Sequence, residues 1–187
     1  TLFTWGGNAS GQLGSGTTSA RSSPVTVAGG GTTWTAVSAG FNFTAAVKTD
    51  GTLYTWGDNN SGQLGSGTTS VRSSPVTVAG GGTTWIQVSC GTFHAAATKS
   101  DGTLWTWDDN TDGQLGDFTV VPNSSPVQTI ALGNNWKQVT CGSYHTAAIK
   151  TDGTLWTWGY NYNGQLCNNT ITYKSSPIQT ISYEISM

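Results

Sequence analysis

The chain is predicted to be all-β, a β-propeller of four-stranded blades, on three observations. First, one phrase recurs. TLFTWGGNASGQLG begins at Thr1, TLYTWGDNNSGQLG at Thr52, TLWTWDDNTDGQLG at Thr103 and TLWTWGYNYNGQLC at Thr154, each start 51 residues after the last. Second, each repeat holds four short runs of β character, and no window sustains helical periodicity. Third, four strands recurring at about 50 residues is the pattern of a propeller blade. The register never breaks: Trp5, Trp56, Trp107 and Trp158 keep it, as do Gln12, Gln63, Gln114 and Gln165, Pro24, Pro75, Pro126 and Pro177, and Trp34, Trp85 and Trp136. Residues 1–187 therefore read as one partial propeller with repeats 1–51, 52–102, 103–153 and an incomplete 154–187.

The elements of one blade follow in order from Trp136. WKQVTCG alternates its side chains and stops at Gly142, forming the strand that faces the central channel. YHTAAIK is the second strand, closed by TDG, a hairpin signal. TLWTWG is the third, with Leu155 and Thr157 on one face and Trp156 and Trp158 on the other. The tryptophan face is expected to pack between blades, where each ring removes a large apolar area from water. A polar loop beginning YNYNGQL supplies Asn and Gly for turn conformations that other residues resist. SPIQTI is the fourth and outermost strand, where Pro177 lacks nothing by having no N–H. Residues 1–28 supply only third and fourth strands, and 34–79, 85–130 and 136–181 supply whole blades, about three and a half in all. Two copies would duplicate the same outer half-blade, so the expectation is a piece of a longer propeller.

Composition narrows the function. Nine tryptophans in 187 residues are too aromatic for a disordered chain, and no apolar run is long enough to span a membrane. Seven Lys and Arg, with a net charge of −2, argue against a nucleic-acid partner. Three cysteines without a C-x-x-C pair do not make a disulfide framework.

Chemistry-bearing candidates each have a bland reading. Cys90 with His94, and Cys141 with His145, form C-x3-H pairs of potential zinc ligands. The first repeat has Ala39 and Phe43 at those places, which favours a structural role and free thiols. Asp108, Asn110 and Asp112 match half of a calcium loop, but Thr119 stands where the closing Glu belongs, so turn chemistry is the reading. The Gly-rich stretches at 14–16, 65–67, 28–31 and 79–82 lack the Lys and helix of a phosphate loop. N-x-S/T sequons stand at Asn8, Asn42, Asn59, Asn123 and Asn168. No catalytic residue, metal site or cofactor is expected.

The joined motifs resemble a known repeat. Trp56-Gly57 with Asn59 and Gly62-Gln63-Leu64-Gly65, then Val88, Gly91 and His94, is similar to the repeat of the regulator of chromosome condensation family. Val139, Gly142, His145-Thr146-Ala147-Ala148, Lys150 and Asp152-Gly153 carry it again, and the resemblance covers essentially the whole chain. It implies a β-propeller, commonly seven-bladed, that displays loops to partners. The sequence departs from the pattern at Phe43, at Asp108 and at Cys167, which is expected to alter local turns and the channel lining.

The function expected is a non-enzymatic scaffold for protein–protein interaction or structural assembly. The composition suits an extracellular, virion or phage-tail setting. Alternatives are a guanine-nucleotide exchange regulator of a small GTPase and a glycan-binding adhesin. The stretch after GQL changes most between repeats: GSGTTSARSSP becomes GDFTVVPNSSP and CNNTITYKSSP. Phe118, Val120, Val121, Ile171 and Tyr173 thereby place apolar groups in surface loops and are expected to bind a protein partner or sister subunit, with Tyr173 as anchor.

Overall fold

A computed structural model describes residues 1–29, 31–129 and 133–180. The blade ends at Ile130 and Ile181 and the tail of the last repeat lie outside the described residues. The described chain holds fourteen strands and no helix. The first blade is a two-stranded sheet of β1 (Phe3–Gly6) and β2 (Arg21–Thr26). The second is β3 (Trp34–Ala39), β4 (Phe43–Lys48), β5 (Leu53–Gly57) and β6 (Arg72–Thr77). The third is β7 (Trp85–Cys90), β8 (His94–Lys99), β9 (Leu104–Asp108) and β10 (Asn123–Gln128). The fourth is β11 (Trp136–Cys141), β12 (His145–Lys150), β13 (Leu155–Gly159) and β14 (Lys174–Gln179). Neighbouring strands are antiparallel and lie in chain order within each sheet. This is the architecture the sequence predicts, about three and a half blades.

The fourth strands start two residues earlier than SPIQTI suggests. Gly57 pairs with Arg72 and Gly159 with Lys174, and the register then slips before the proline passes. The proline thus sits in an irregular stretch of an outermost strand, where a missing N–H is harmless.

The core lies in the seams between blades. One cluster joins Phe43, Val47, Leu53 and Leu64 of the second blade to Trp85, Val88 and Trp107 of the third. The next joins Ala96 and Leu104 of the third to Trp136, Val139 and Trp158 of the fourth. The run Ala95-Ala96-Ala97 shows how: Ala95 and Ala97 enter one seam and Ala96 the other. Successive side chains on a strand face opposite ways, and only small ones let two sheets close on β8 from both sides. The first strands tie the inner ring. Cys90 N donates to Ser38 Oγ and Cys141 N to Ser89 Oγ, both at 2.9 Å.

The recurrent phrase is explained residue by residue. Asn59 Oδ1 accepts from Leu64 N, and its amide donates to the Thr68 and Ser70 carbonyls, closing the loop after β5. Asn8, Asn110 and Asn161 make the matching bonds. The sequons at Asn8 and Asn59 are therefore buried loop anchors whose amides are already engaged. The Gln carbonyl serves the next blade: Trp56 Nε1 donates to Gln12 O, Trp107 to Gln63 O and Trp158 to Gln114 O, each at 2.9 Å. The glycine after Leu is there for closeness. A Cβ at Gly65 would come within 2.9 Å of the Trp107 indole, and Gly116 stands in the same relation to Trp158.

The tryptophan pairs divide the work. Trp56, Trp107 and Trp158 are 0% exposed, whereas Trp5, with no blade packed before it, is 63% exposed. Trp156 is only half-buried, set edge-on to Trp136 of its own blade. Lys150 Nζ lies 4.4 Å from the Trp156 ring centre and 4.9 Å from Trp136. Lys99 sits likewise between Trp85 and Trp105, and Lys48 between Trp34 and Tyr54. This cation–π clamp accounts for the lysine that closes every second strand.

Candidate interaction site

The loops joining first to second strands and third to fourth strands emerge on one rim. Its outer part carries the residues singled out for contact. Phe118, Val120 and Val121 lie in the loop after β9, and Ile171 and Tyr173 in the loop after β13, all exposed. The two loops adjoin, because Phe118 N donates to Ser175 O of β14 at 2.8 Å. Phe118 (φ 65°) and Asn169 (φ 60°) hold a left-handed turn that Gly16 and Gly67 occupy in the earlier repeats. Keeping Phe118 there carries a strain that a glycine would avoid.

Tyr173 does not stand alone. Its ring centre is 4.8 Å from Tyr160, which lies 6.2 Å from Tyr144 and 6.5 Å from Tyr162. Tyr144 comes from the loop after β11 and the others from the loop after β13, so two loops of one blade build a tyrosine cluster. Sequence reasoning missed three of its four members. The signal was in the repeat columns. Asn42, Phe93 and Tyr144 share one column, and Gly7, Asp58, Asp109 and Tyr160 another. Both columns vary from repeat to repeat.

In the third blade the same columns make a different site. Ser61, Phe93, Asp108, Asp109 and Pro122 enclose a cavity of about 260 Å³. Asp108 is fully buried, at φ 82°, where the other blades have Gly6, Gly57 and Gly159. Neither carboxylate oxygen has a partner. Burial, then Asp109 and Asp58 nearby, push its carboxyl up to about 8. Asp109 itself is engaged, accepting from Thr111 N and from Gln114 Nε2.

The cysteine and histidine pairs do not converge. Cys90 Sγ points back to Ser38 O at 3.6 Å, while His94 Nε2 points forward to Thr146 Oγ1 at 3.1 Å. The Thr146 hydroxyl donates its hydrogen to Gln114 O, so His94 must donate through Nε2, leaving Nδ1 bare and unpartnered. Burial holds His94 neutral, with its pKa lowered to about 4. The expected effect on the channel lining is corrected here: Phe43 and His94 are buried between blades. Burial also pushes the Cys90 thiol up to about 12, and Cys141 is raised by the same cause. Among the described residues no group of three His, Cys, Asp or Glu is placed to hold a metal.

A groove of about 490 Å³ lies beside Phe3, Trp5, Val37 and Phe41. The corresponding faces of the third and fourth blades are covered by the strands of the blades before them. It is therefore a blade-packing surface in chemistry.

Comparisons agree with this geometry. The family model for the "Regulator of chromosome condensation (RCC1) repeat" matches residues 1–47, 50–98 and 101–149. The ultraviolet-B receptor UVR8 of Arabidopsis thaliana is 36% identical over 178 residues, covering 94% of this chain and 40% of that protein. The crystal structure of human WBSCR16 superposes with a TM-score of 0.86 at 26% identity, over 96% of this chain and 48% of that one. Yeast RCC1 (Prp20), solved bound to Kap60, gives 0.80 at 18% identity over 96% of this chain and 44% of that one, a likeness of fold. The chain spans less than half the length of each of these.

Proposed function

The chain belongs to the regulator of chromosome condensation (RCC1) repeat family, and from that premise we propose that it is a non-enzymatic protein-interaction propeller whose partner docks on the loop rim. The observation that carries this reading is the contrast between strands and rim. Several strand positions packed in the seams keep the same residue, as Trp85 and Trp136, Val88 and Val139, Leu53 and Leu104, and Trp56, Trp107 and Trp158 do. The rim columns change and gather aromatic and apolar groups in adjacent loops: exposed Tyr162 and Tyr173 around half-buried Tyr160 in one, exposed Phe118, Val120 and Val121 in the other. Clustered tyrosines offer large contact area at small entropic cost, the chemistry of interface anchors. The yeast propeller of this fold was solved in complex with a protein, which supports a protein partner. Nothing in these relatives favours a virion or particle component.

The test is capture of binding partners by the chain and by a Val121→Ser/Tyr173→Ser variant of unchanged circular dichroism and melting temperature. The variant should lose the partners that the parent retains. Equal capture by both, or unfolding of a Tyr173→Phe/Val121→Ala control as well, refutes the rim as the docking surface. The tyrosine cluster also supports a second reading, sugar stacking on exposed rings, and specific retention on a glycan array would replace the first. Nucleotide release from small GTPases on addition of the chain would overturn the non-enzymatic part.

A further inference from the structure

The seams between blades are not interchangeable. In the seam between the second and third blades, Phe43 and Ala95 belong to one apolar cluster. One blade on, His94 and Thr146 stand at the same two places, and His94 Nε2 meets Thr146 Oγ1 at 3.1 Å. The two rings take the same position. A Cβ at Gly40 would lie 2.3 Å from the Phe43 ring, and one at Gly91 would lie 2.5 Å from the His94 ring. Both members of the pair therefore change together. A large apolar ring faces a methyl group in one seam, and a polar ring faces a hydroxyl in the next.

A second contact, on the inner ring, changes in the same sense. Gln87 Nε2 donates to Val139 O, and Val139 N donates to Gln87 Oε1, both at 3.0 Å. This fork holds the first strand of the fourth blade to that of the third. Ala36 stands at the Gln87 place in the second blade and packs against the apolar cluster instead. One seam is thus apolar at both places, and the next is polar at both.

Mixed pairs are disfavoured in either direction. His94 against an alanine would bury an N–H without an acceptor. Phe43 against a threonine would have to admit an extra hydroxyl and methyl where Phe43 is 1% and Ala95 0% exposed, which is overpacking. Little else tells the blades apart during folding. RSSPVTVAGGGTTW stands unchanged at 21–34 and 72–85, and the connection 123–136 has the same length. Connections of one length offer a seam the matching blade of a neighbouring chain on nearly equal terms, the exchange to which repeat proteins are prone.

We propose that the His94–Thr146 pair and the Gln87 fork key the seam between the third and fourth blades, so that it admits the fourth blade and rejects one of the Ala95 type. Similar repeats then assemble in one order. The inference stands independently of the docking rim, since every residue it uses lies on a strand inside the ring.

The experiment compares the parent with His94→Phe, Thr146→Ala and the double variant, which copies Phe43 and Ala95. Urea unfolding at neutral pH is the first readout. Each single change should lower the midpoint, and the double should recover to at least the higher of the two singles, because its pair fits again. Losses that simply add in the double overturn the pairing. The second readout is refolding at high chain concentration, resolved by size-exclusion chromatography. The double variant should leave at least about twofold more chain in exchanged dimers and larger species than the parent, since both seams then carry the same pair. Gln87→Ala copies Ala36 and leaves the His94 pair intact. It should raise the exchanged share as well, and it carries the test if a His94 variant does not fold. An exchanged share equal to the parent's in the variants that fold overturns the ordering role.

Discussion

Replacing Trp107 by alanine tests the seam on which the fold rests. The indole is fully buried between the second and third blades, packed with Phe43, Leu53, Leu64 and Trp85 in one cluster. A buried tryptophan removes roughly 200 Å² from water, about 5 kcal/mol as an upper bound at ~25 cal/mol per Å². Truncation also opens a cavity and deprives Gln63 O of the Trp107 Nε1 donor at 2.9 Å. The expected loss is about 3–5 kcal/mol in urea or guanidinium unfolding, seen as a lower midpoint at similar slope. Trp5→Ala provides the internal control. The residue is the register equivalent but is 63% exposed in this chain, and its loss should cost less than about 1 kcal/mol. Gly65→Ala approaches the same seam from the other side, since its Cβ would press on the Trp107 indole at 2.9 Å and φ is 61°. A Trp107→Ala loss below about 1 kcal/mol, or equal losses at Trp107 and Trp5, would refute seam packing as the source of stability.

Three further outcomes follow from the buried groups. Asp108 has a folded pKa near 8, above its unfolded value, so stability should fall as pH rises from about 4 to 8; Asp108→Gly should flatten that slope and stabilise the chain at pH 8 by up to several kcal/mol in pH-dependent denaturation. His94 has a folded pKa near 4, below its unfolded value, so stability should be lost as pH falls from about 6.5 to 4, on the order of 3 kcal/mol. His94→Phe, copying Phe43 at the equivalent place, should remove that loss, and an unchanged acid limb would mean His94 is not buried neutral. A disulfide reagent added to the native chain should modify the exposed Cys167 quickly, the half-buried Cys141 slowly, its thiol pKa being raised, and the buried Cys90 only on unfolding; rapid modification of Cys90 would contradict its burial.

Much was determined by the sequence alone. The 51-residue register, the period-two runs and the absence of helical patterning were enough for four-stranded blades, their strand order and the half-blade at the start. Those are local signals, because strand and turn chemistry act between near neighbours along the chain. The exposed loop residues Val121 and Tyr173 were legible too, since they stand in the stretch after GQL that changes most between repeats. What only the tertiary structure decided lies across the seams. Trp107 and Trp105 look alike in sequence, yet one donates to the preceding blade while the other packs within its own under Lys99. Asp108 read as turn chemistry until the turn of the preceding blade was seen to close over it, and Tyr144 became part of a cluster only when its loop met that of Tyr160 and Tyr173. Burial, an unpaired carboxylate and a shared aromatic surface are properties of residues brought together from distant parts of the chain. No local pattern encodes them, because the cost or gain of each group depends on what the neighbouring blade places against it.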